Sequence, residues 1–317
     1  MGKIHIVMYH YVRNLINSRF PEIKGLDYLL FKQQIQYLKL NFNIVRMEDV
    51  IAAFQDKHKL PEKSVLLTFD DGYIDHYVSV FPVLQEESVQ GSFFVPGKTF
   101  AEHKLLDVNK IHFVLASAYI NELVSDVFEQ MNHYRGIEFD IPSNEELFEK
   151  YAVASRFDNK ETIFVKKILQ TVLPERLRNM ITSNIFKKYV GMSEEKFAYE
   201  LYMNYDQIKC MKKNGMYIGL HGYDHYWLGN LEPARMKEDI TKAMDVMSDF
   251  IDTDSWVMNY PYGSYNEEVV RQINSMGCKL GISTEVRIAD TDKDSCFTVP
   301  RLDTNDFPPK SENYRSI

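Results

Sequence analysis

The chain has 317 residues, of which 45% are hydrophobic and 26% are charged, and its formal net charge is −8 at pH 7. A chain of this length and apolar content buries a core without cross-links, so its composition excludes a disordered chain, a collagen-like chain and a small disulfide scaffold. The positive charges form no basic face, so we expect no nucleic-acid partner, and the acidic balance argues against tight binding to an anionic membrane.

The N-terminal residues and the cysteines indicate in which cellular compartment we expect the protein. The starting residues, MGKIHIVMYH, are too short and too polar for the core of a signal peptide. No run of about 18 apolar residues occurs, so we expect no transmembrane helix and a cytoplasmic location. Cys210, Cys278 and Cys296 are odd in number and widely spaced, which is typical of free, buried thiols in a reducing compartment.

The first hundred residues alternate short apolar runs with amphipathic segments, a rhythm typical of βα units around a parallel sheet. Residues 4–8 predict a first buried strand and residues 29–40 a helix. Residues 65–69 predict a second strand that runs into Asp70-Asp71-Gly72, where the glycine permits a tight turn. Residues 92–95 predict a third.

From about residue 100 to 204 the patterns become long and helical, and we predict a helical insertion there. It would cap the mouth of the sheet, form a homo-oligomer contact or dock a partner enzyme. The βα rhythm then resumes, with strands predicted at 216–220, 256–258, 279–283 and 296–299. Ser264 and Glu267 predict a capping box, and Phe307-Pro308-Pro309 begins a polar tail that we expect to be frayed.

Four predicted strand ends carry polar or unusual residues. They are Tyr9-His10, Asp70-Asp71, His221 to His225, and Pro261-Tyr262-Gly263. Loops that follow the strands of a parallel barrel carry function. The H-x-x-x-H spacing of His221 and His225 lets two ring nitrogens meet one cation, although two hydrogen-bonded or surface histidines would also fit it.

A carboxylate from a neighbouring strand would complete a His-His-Asp set that leaves positions open for water and substrate. Asp70-Asp71 supplies two candidates, one to ligate and one to act as a base. A solvated turn is the alternative for this pair. Tyr226 and Trp227 would line a sugar platform or pack in the core.

In this order, the strings TFDDG at 68–72, His221-x-x-x-His225 and YPYG at 260–263 resemble the motifs of polysaccharide deacetylases (the NodB-homology domain, carbohydrate esterase family four). The resemblance covers roughly residues 1–100 and 205–305. It implies an α/β fold, a distorted (β/α) barrel with about seven parallel strands, over residues 1–317 with the insertion at about 100–204.

The resemblance also implies roles. Asp71, His221 and His225 would hold a divalent metal, usually zinc, with cobalt or nickel as alternatives. Asp70 would be the general base for the attacking water, and the backbone N–H of Tyr262 would join the metal in stabilising the oxyanion.

Two positions depart from the family pattern. The arginine that commonly tethers the base is replaced by Asn259, and Arg301 after a later strand would supply the cation, unless it is a structural or surface residue. No histidine follows His225 to act as general acid. A subset of deacetylases acting on poly-N-acetylglucosamine carries that histidine near the N-terminus, so His10 takes the role by resemblance, with a buried structural histidine as the alternative.

These inferences predict a metal-dependent hydrolase that removes an N-acetyl group from an amino sugar, an intermediate of surface-polysaccharide biosynthesis. A hydrolase of a non-sugar amide and a non-catalytic saccharide-binding or scaffold protein are the rivals. The prediction requires Asp71 to lie within about 6 Å of the rings of His221 and His225.

Overall fold

The computed structural model describes residues 2–56 and 58–317. The chain separates into two compact units. The first contains the N-terminal residues up to Asn14, Gly25–Lys104 and Tyr199–Ile317, and the second contains Leu15–Lys24 and Leu105–Ala198. Most of the second unit falls within the helical region expected at about 100–204. That this region is an insertion into a family domain stays a prediction.

The first unit is built on a curled sheet. In the described part of the chain the strands are β1 (Lys3–Tyr9), β2 (Val12–Arg13), β3 (Leu26–Asp27), β4 (Asn43–Ile44), β5 (Ser64–Asp70), β6 (Ser92–Val95), β7 (Tyr217–Leu220), β8 (Trp256–Asn259), β9 (Cys278–Ile282), β10 (Ala289–Asp290) and β11 (Leu302–Asp303). A path of seven strands runs in the order β10-β1-β5-β6-β7-β8-β9, while β11 pairs with β1 and β4 with β5.

The pairs of this sheet are parallel, apart from β10 against β1. Parallel neighbours need crossover connections, and helices supply them. Over both units, the α-helices of the described residues are α1 (Tyr28–Asn41), α2 (Met47–Asp56), α3 (Phe81–Glu86), α4 (Gly97–Ala101), α5 (Asp107–Leu115), α6 (Ile120–Tyr134), α7 (Asn144–Tyr151), α8 (Lys160–Lys167), α9 (Glu175–Val190), α10 (Glu194–Leu201), α11 (Tyr205–Lys213), α12 (Pro233–Met247) and α13 (Glu267–Ser275). The α/β prediction is confirmed.

Alternate residues of β5 enter two different apolar layers. In β5, Leu67 and Phe69 join the large cluster on the helix side of the sheet, while Leu66 joins a smaller cluster on the other face. Because the side-chain period of a strand is two, Thr68 and Asp70 continue the face of Leu66. Asp70 therefore lies at the carboxyl edge of the sheet, where the strands β1, β7 and β8 also end.

The second unit is helical. Its core includes Phe20, Phe113, Phe186 and Phe197, which pack edge to face at centroid separations of 4.6–5.7 Å. Its helix α9 ends at Val190, and Gly191, with a φ of 71°, is its left-handed C-terminal cap. Among the described helices of the chain, none combines the length and apolar character needed to cross a bilayer. The cytoplasmic location stays a prediction.

Three local predictions need correction. Ser264 does not cap α13, because its hydroxyl accepts the N–H of Gly229 and Asn266 caps the helix instead. The C-terminal tail is not frayed, since Phe307 is buried and stacks on Tyr314 at 4.8 Å. Residues 296–299 form only an isolated bridge to β9 at Val299.

The three cysteines are free, as expected. Cys278 is buried, whereas Cys210 and Cys296 are partly exposed. The expectation that all of the thiols are buried is therefore wrong for two of them.

Candidate active site

Three side chains from two strand ends form a buried cluster at the carboxyl edge of the sheet. Asp71 follows β5, and His221 and His225 follow β7. One ligand atom from each lies within 4.8 Å of the other two. The Nε2 atoms of His221 and His225 lie 3.3 and 3.2 Å from Oδ1 of Asp71. The distances meet the requirement set by the sequence prediction.

The turn after β5 explains why adjacent carboxylates face different partners. Asp71 has φ 76° and Gly72 has φ 68°, so the chain reverses sharply at the end of the strand. A Cβ on Gly72 would lie 2.8 Å from Cγ1 of Val95, which explains the glycine. Asp70 therefore stays on the strand face, while Asp71 turns towards the histidines.

The hydrogen bond of His221 fixes which ring nitrogen is available. Its Nδ1 lies 2.6 Å from the carbonyl oxygen of Asn259. A carbonyl only accepts, so Nδ1 carries the proton and Nε2 presents its lone pair to Asp71. The ring of His225 packs edge-on against Tyr262 at 4.7 Å.

The cluster fits a divalent cation. The hydroxyl of Tyr73 donates to Oδ2 of Asp71, but the buried Oδ1 makes no hydrogen bond to any described residue. Burial opposes ionisation of Asp71, but positive charge on the two imidazoles beside it lowers the pKa of its carboxyl well below the usual range. Two imidazoles and a carboxylate match the ligands of a catalytic zinc site, which leaves a position open.

The second carboxylate, Asp70, is held by two donors. Its Oδ1 accepts from Nη1 of Arg301 at 2.8 Å and from Nδ2 of Asn259 at 2.6 Å. Burial would raise the pKa of Asp70, but the Arg301 guanidinium, helped by His10 and His221, outweighs it and lowers the pKa to about 2. Asp70 is therefore an ionised carboxylate at neutral pH.

Arg301 is itself buried, and each of its three side-chain nitrogens donates a hydrogen bond. Its Nε donates to the carbonyl of Ser283 at 2.9 Å and its Nη1 to the hydroxyl of Thr68 at 3.2 Å. Its Nη2 donates to Oδ1 of Asn259 at 3.0 Å. Asn259 thus touches both members of the ion pair, a role that the sequence analysis missed. The one available clue was its place where the family commonly has arginine.

His10 lies on the other side of Asp70. Its Nε2 is 3.8 Å from Oδ2 of Asp70, and its side chain is 38% exposed, which is not the environment of a buried structural histidine. The carbonyl of His10 faces Nε2 of His76 at 3.0 Å. Burial lowers the pKa of His76 to about 4, so His76 is a neutral donor at pH 7.

Tyr262 and Trp227 form an aromatic pair beside His225. Their rings are nearly parallel, at 8°, with centroids 4.4 Å apart. Tyr262 has φ 59°, a strained conformation for a side chain of this size. The structure thus brings all seven sequence-predicted site residues to one edge of the sheet. Tyr73, directly after the Asp-Asp-Gly turn, is a further contact that the sequence analysis missed.

A family model described as "Polysaccharide deacetylase" matches residues 57–140 and 148–281. The putative polysaccharide deacetylase YxkH of Bacillus subtilis (strain 168) is 21% identical over 294 residues, which cover 92% of this chain and 68% of that relative. The poly-beta-1,6-N-acetyl-D-glucosamine N-deacetylase of Escherichia coli (strain K12) is 42% identical over 55 residues, only 17% of this chain and 8% of that relative.

Two solved structures show the same fold. The Streptococcus pyogenes deacetylase PplD in complex with acetate has a TM-score of 0.57 and 17% identity, with 99% of this chain and 96% of that chain covered. The structure of IcaB from Ammonifex degensii has a TM-score of 0.57 and 18% identity, with 100% and 98% covered. Because the family model spans more than half of its length, this chain belongs to the polysaccharide deacetylase family.

Proposed function

We propose that the protein is a metal-dependent hydrolase that removes the N-acetyl group of an amino sugar. One observation carries the proposal: a buried Asp71–His221–His225 cluster lies beside a second, ionised carboxylate that Arg301 holds in place. In a structural metal site all coordination positions are filled by protein ligands, so a second ionised carboxylate beside the site is not required. A non-catalytic saccharide-binding protein would not need it either.

The cofactor proposed is zinc, with cobalt or nickel as alternatives, held by Asp71, His221 and His225. Such an ion, when bound, polarises the amide carbonyl and brings the pKa of water from 15.7 to about 7. Neutral imidazoles and one carboxylate leave a dication net positive, which preserves that effect.

Asp70 would take the proton of the attacking water. Its contacts to Arg301 and Asn259 keep it ionised and aimed, leaving Oδ2 towards His10. A carboxylate whose pKa is about 2 does not keep a proton at neutral pH, so Asp70 would return that proton to Nε2 of His10, 3.8 Å from its Oδ2, once His10 has given its own proton to the amine.

His10 would deliver a proton to the departing amine. Its Nε2 lies 3.8 Å from Asp70, and its partial exposure leaves it within reach of a substrate. An amine cannot leave as an anion at neutral pH, so the C–N bond breaks only as nitrogen gains a proton. The backbone N–H of Tyr262 would stabilise the oxyanion of the tetrahedral intermediate.

The substrate class is supported by the site's aromatic pair and by the relatives. Trp227 and Tyr262, next to the ligand His225, offer faces of the kind on which pyranose rings pack. The short match to a poly-beta-1,6-N-acetyl-D-glucosamine N-deacetylase favours an N-acetylglucosamine unit. We place that unit in an intermediate of surface-polysaccharide biosynthesis.

The test is acetate release from defined substrates. Protein stripped with a chelator and reloaded with Zn²⁺, Co²⁺ or Ni²⁺ is incubated with β-1,6- and β-1,4-linked N-acetylglucosamine oligomers, and with acetamide as a non-sugar amide. We expect acetate from a sugar substrate only in the reloaded protein. The variant Asp70→Asn, matched in size, should retain metal and lose at least about 10²-fold in turnover.

The rivals predict different results. Release from non-sugar amides alone would favour the other hydrolase class. A protein that binds metal and sugar but releases no acetate from any of these substrates would be a binding or scaffold protein. Normal turnover in Asp70→Asn would reject the base assignment. The helical unit as a cap, an oligomer contact or a docking surface stays a prediction.

A further inference from the structure

The segment between His221 and His225 is not a helix. Residues 221–225 have no repeating backbone conformation, and Gly222 and His225 have φ values of 67° and 57°. On a helix, a spacing of four residues by itself places two side chains on one face. In this turn the position of each imidazole depends instead on what holds the backbone.

One buried carboxylate accepts two peptide N–H groups from inside the turn. The N–H of Tyr223 donates to Oδ2 of Asp239 at 2.9 Å, and the N–H of Asp224 donates to Oδ1 at 2.9 Å. Asp239 is 5% exposed and belongs to α12, a helix of 15 residues. Hydrogen bonds to a carboxylate are about twice as strong as those between neutral groups, so this contact is a firm one.

The opposite side of the turn is held by backbone groups. The N–H groups of Gly97 and Lys98, at the start of α4, donate to the carbonyls of Gly222 and Tyr223 at 3.0 and 3.1 Å. The ammonium of Lys98 also pairs with the carboxylate of Asp224. The turn is therefore clamped between α4 and α12, and Asp239 is the side chain on which the α12 half of the clamp depends.

We infer that Asp239 is a positioning residue for the metal site, whose two hydrogen bonds to the 221–225 turn hold both imidazoles towards Asp71 before an ion binds. The inference rests on the proposed function, since it concerns the ion that these ligands would hold. If the two histidines are ordered before the ion arrives, binding does not carry the entropy cost of ordering the turn. Asp239 therefore raises the affinity of the site for the metal ion.

The test uses Asp239→Asn in the full chain. Asparagine has the same shape, but its amide NH₂ replaces one acceptor and faces a peptide N–H. We expect Zn²⁺ affinity, measured in competition with a chromophoric chelator, to fall about 10- to 100-fold, and the visible spectrum of the Co²⁺-loaded protein to change. Asp239→Glu, which keeps the charge and both acceptors, should recover part of the affinity.

Asp306→Asn is the matched control. Asp306 is also buried and accepts a peptide N–H, that of Asp303, in the C-terminal segment. We expect this variant to lose stability but to bind Zn²⁺ as the wild type does. A loss of affinity confined to Asp239→Asn therefore reports positioning rather than general damage to the fold.

The outcomes separate the two proposals. Wild-type affinity in a folded Asp239→Asn would overturn this inference and leave the proposed function standing. A wild-type protein that binds none of the three metals would overturn the proposed function, and this inference with it. If the variant does not fold, hydrogen exchange decides. A peptide covering 221–226 should be protected in metal-free wild type, and free exchange there would overturn the inference.

Discussion

The carboxylate of Asp70 is held ionised by residues that are far away in the sequence. Arg301, 231 residues later, and Asn259, 189 residues later, both donate to Oδ1. Arg301 forms the ion pair with Asp70, and Asn259 contacts both members of that pair. A buried pair of this kind is costly to break from one side, by about 3–5 kcal/mol, because the remaining charge is stranded.

The variant His10→Ala tests the proposed role of His10 as general acid. We expect turnover to fall about 10²- to 10⁴-fold, because the departing amine loses its proton donor, while Zn²⁺ affinity stays the same. Steady-state kinetics on the reloaded protein measures the turnover and competition with a chelator measures the affinity, and His133→Ala, at an exposed site, is the control. A near-normal rate in His10→Ala would place the acid elsewhere.

His76 predicts a pH dependence of stability. Its pKa is lowered by burial to about 4 in the folded protein, against 6.5 for the free side chain. Between these values the unfolded chain binds a proton that the folded chain does not, so stability falls as pH drops from about 6.5 to about 4. The loss amounts to about 3 kcal/mol.

The measurement is urea unfolding of metal-free protein at pH 7, 6, 5 and 4. In His76→Gln, whose amide can still donate to the carbonyl of His10, the loss between pH 7 and pH 4 should be smaller by about 3 kcal/mol. His133→Gln, at an exposed site, should behave as the wild type. Parallel curves for wild type and His76→Gln would contradict the assignment.

At the scale of elements, the strand β5 and the turn after it position the carboxylates of Asp70 and Asp71. The strand is buried along its whole length, as expected of a central parallel strand. Its register against β1 and β6 fixes the height of Asp70, with Phe69 opposite Tyr9 and Asp70 opposite Phe94. The left-handed turn at 71–72 then separates the two adjacent carboxylates.

Gly72→Ala tests this turn. At φ 68°, with a Cβ 2.8 Å from Cγ1 of Val95, we expect a loss of about 1–3 kcal/mol in the free energy of unfolding. Zn²⁺ binding should weaken, since Asp71 moves with the turn. Gly191→Ala is matched in φ, at 71°, but its Cβ meets nothing within 4 Å, so it should cost about 1 kcal/mol and spare the affinity. Equal effects of both variants on Zn²⁺ affinity would refute the account.

At the scale of the whole molecule, the C-terminal segment packs against α1, the first helix of the first unit. Buried Gln34 of α1 donates to the carbonyls of Thr304 and Pro308 at 3.0 and 2.9 Å. Its Oε1 accepts from the hydroxyls of Tyr9 and Thr304. Together with the burial of Phe307, this amide explains why a tail of polar composition is ordered.

Gln34→Ala should cost about 3 kcal/mol, because buried carbonyls and the two buried hydroxyls of Tyr9 and Thr304 lose their partner. Urea unfolding measures it, and limited proteolysis should then cut near the C-terminus first. The control Gln55→Ala removes an exposed amide that donates to the carbonyl of Lys279, and should stay within about 0.5 kcal/mol of the wild type. Equal stability of both variants would contradict this role of Gln34.

The sequence by itself determined the alternation of strands and helices. It also determined the residue types of the candidate metal-binding cluster and their order along the chain. The carboxyl ends of parallel strands lie at one edge of a sheet. The sequence therefore predicts that four residues at strand ends lie close together, namely Asp70, Asp71, His221 and His225. Local capping was less predictable: Ser264 has the right residue type for a cap, but its hydroxyl serves Gly229.

Only the tertiary structure decided which partner each group has. The pairing of Arg301 and Asn259 on Asp70, the ring nitrogen that His221 presents, and the clamp of Asp239 on the turn all join segments distant in sequence. Periodicity and motif spacing report only which neighbours lie on the same element. Contacts between elements follow from strand register and helix packing, so they appear once the chain is folded.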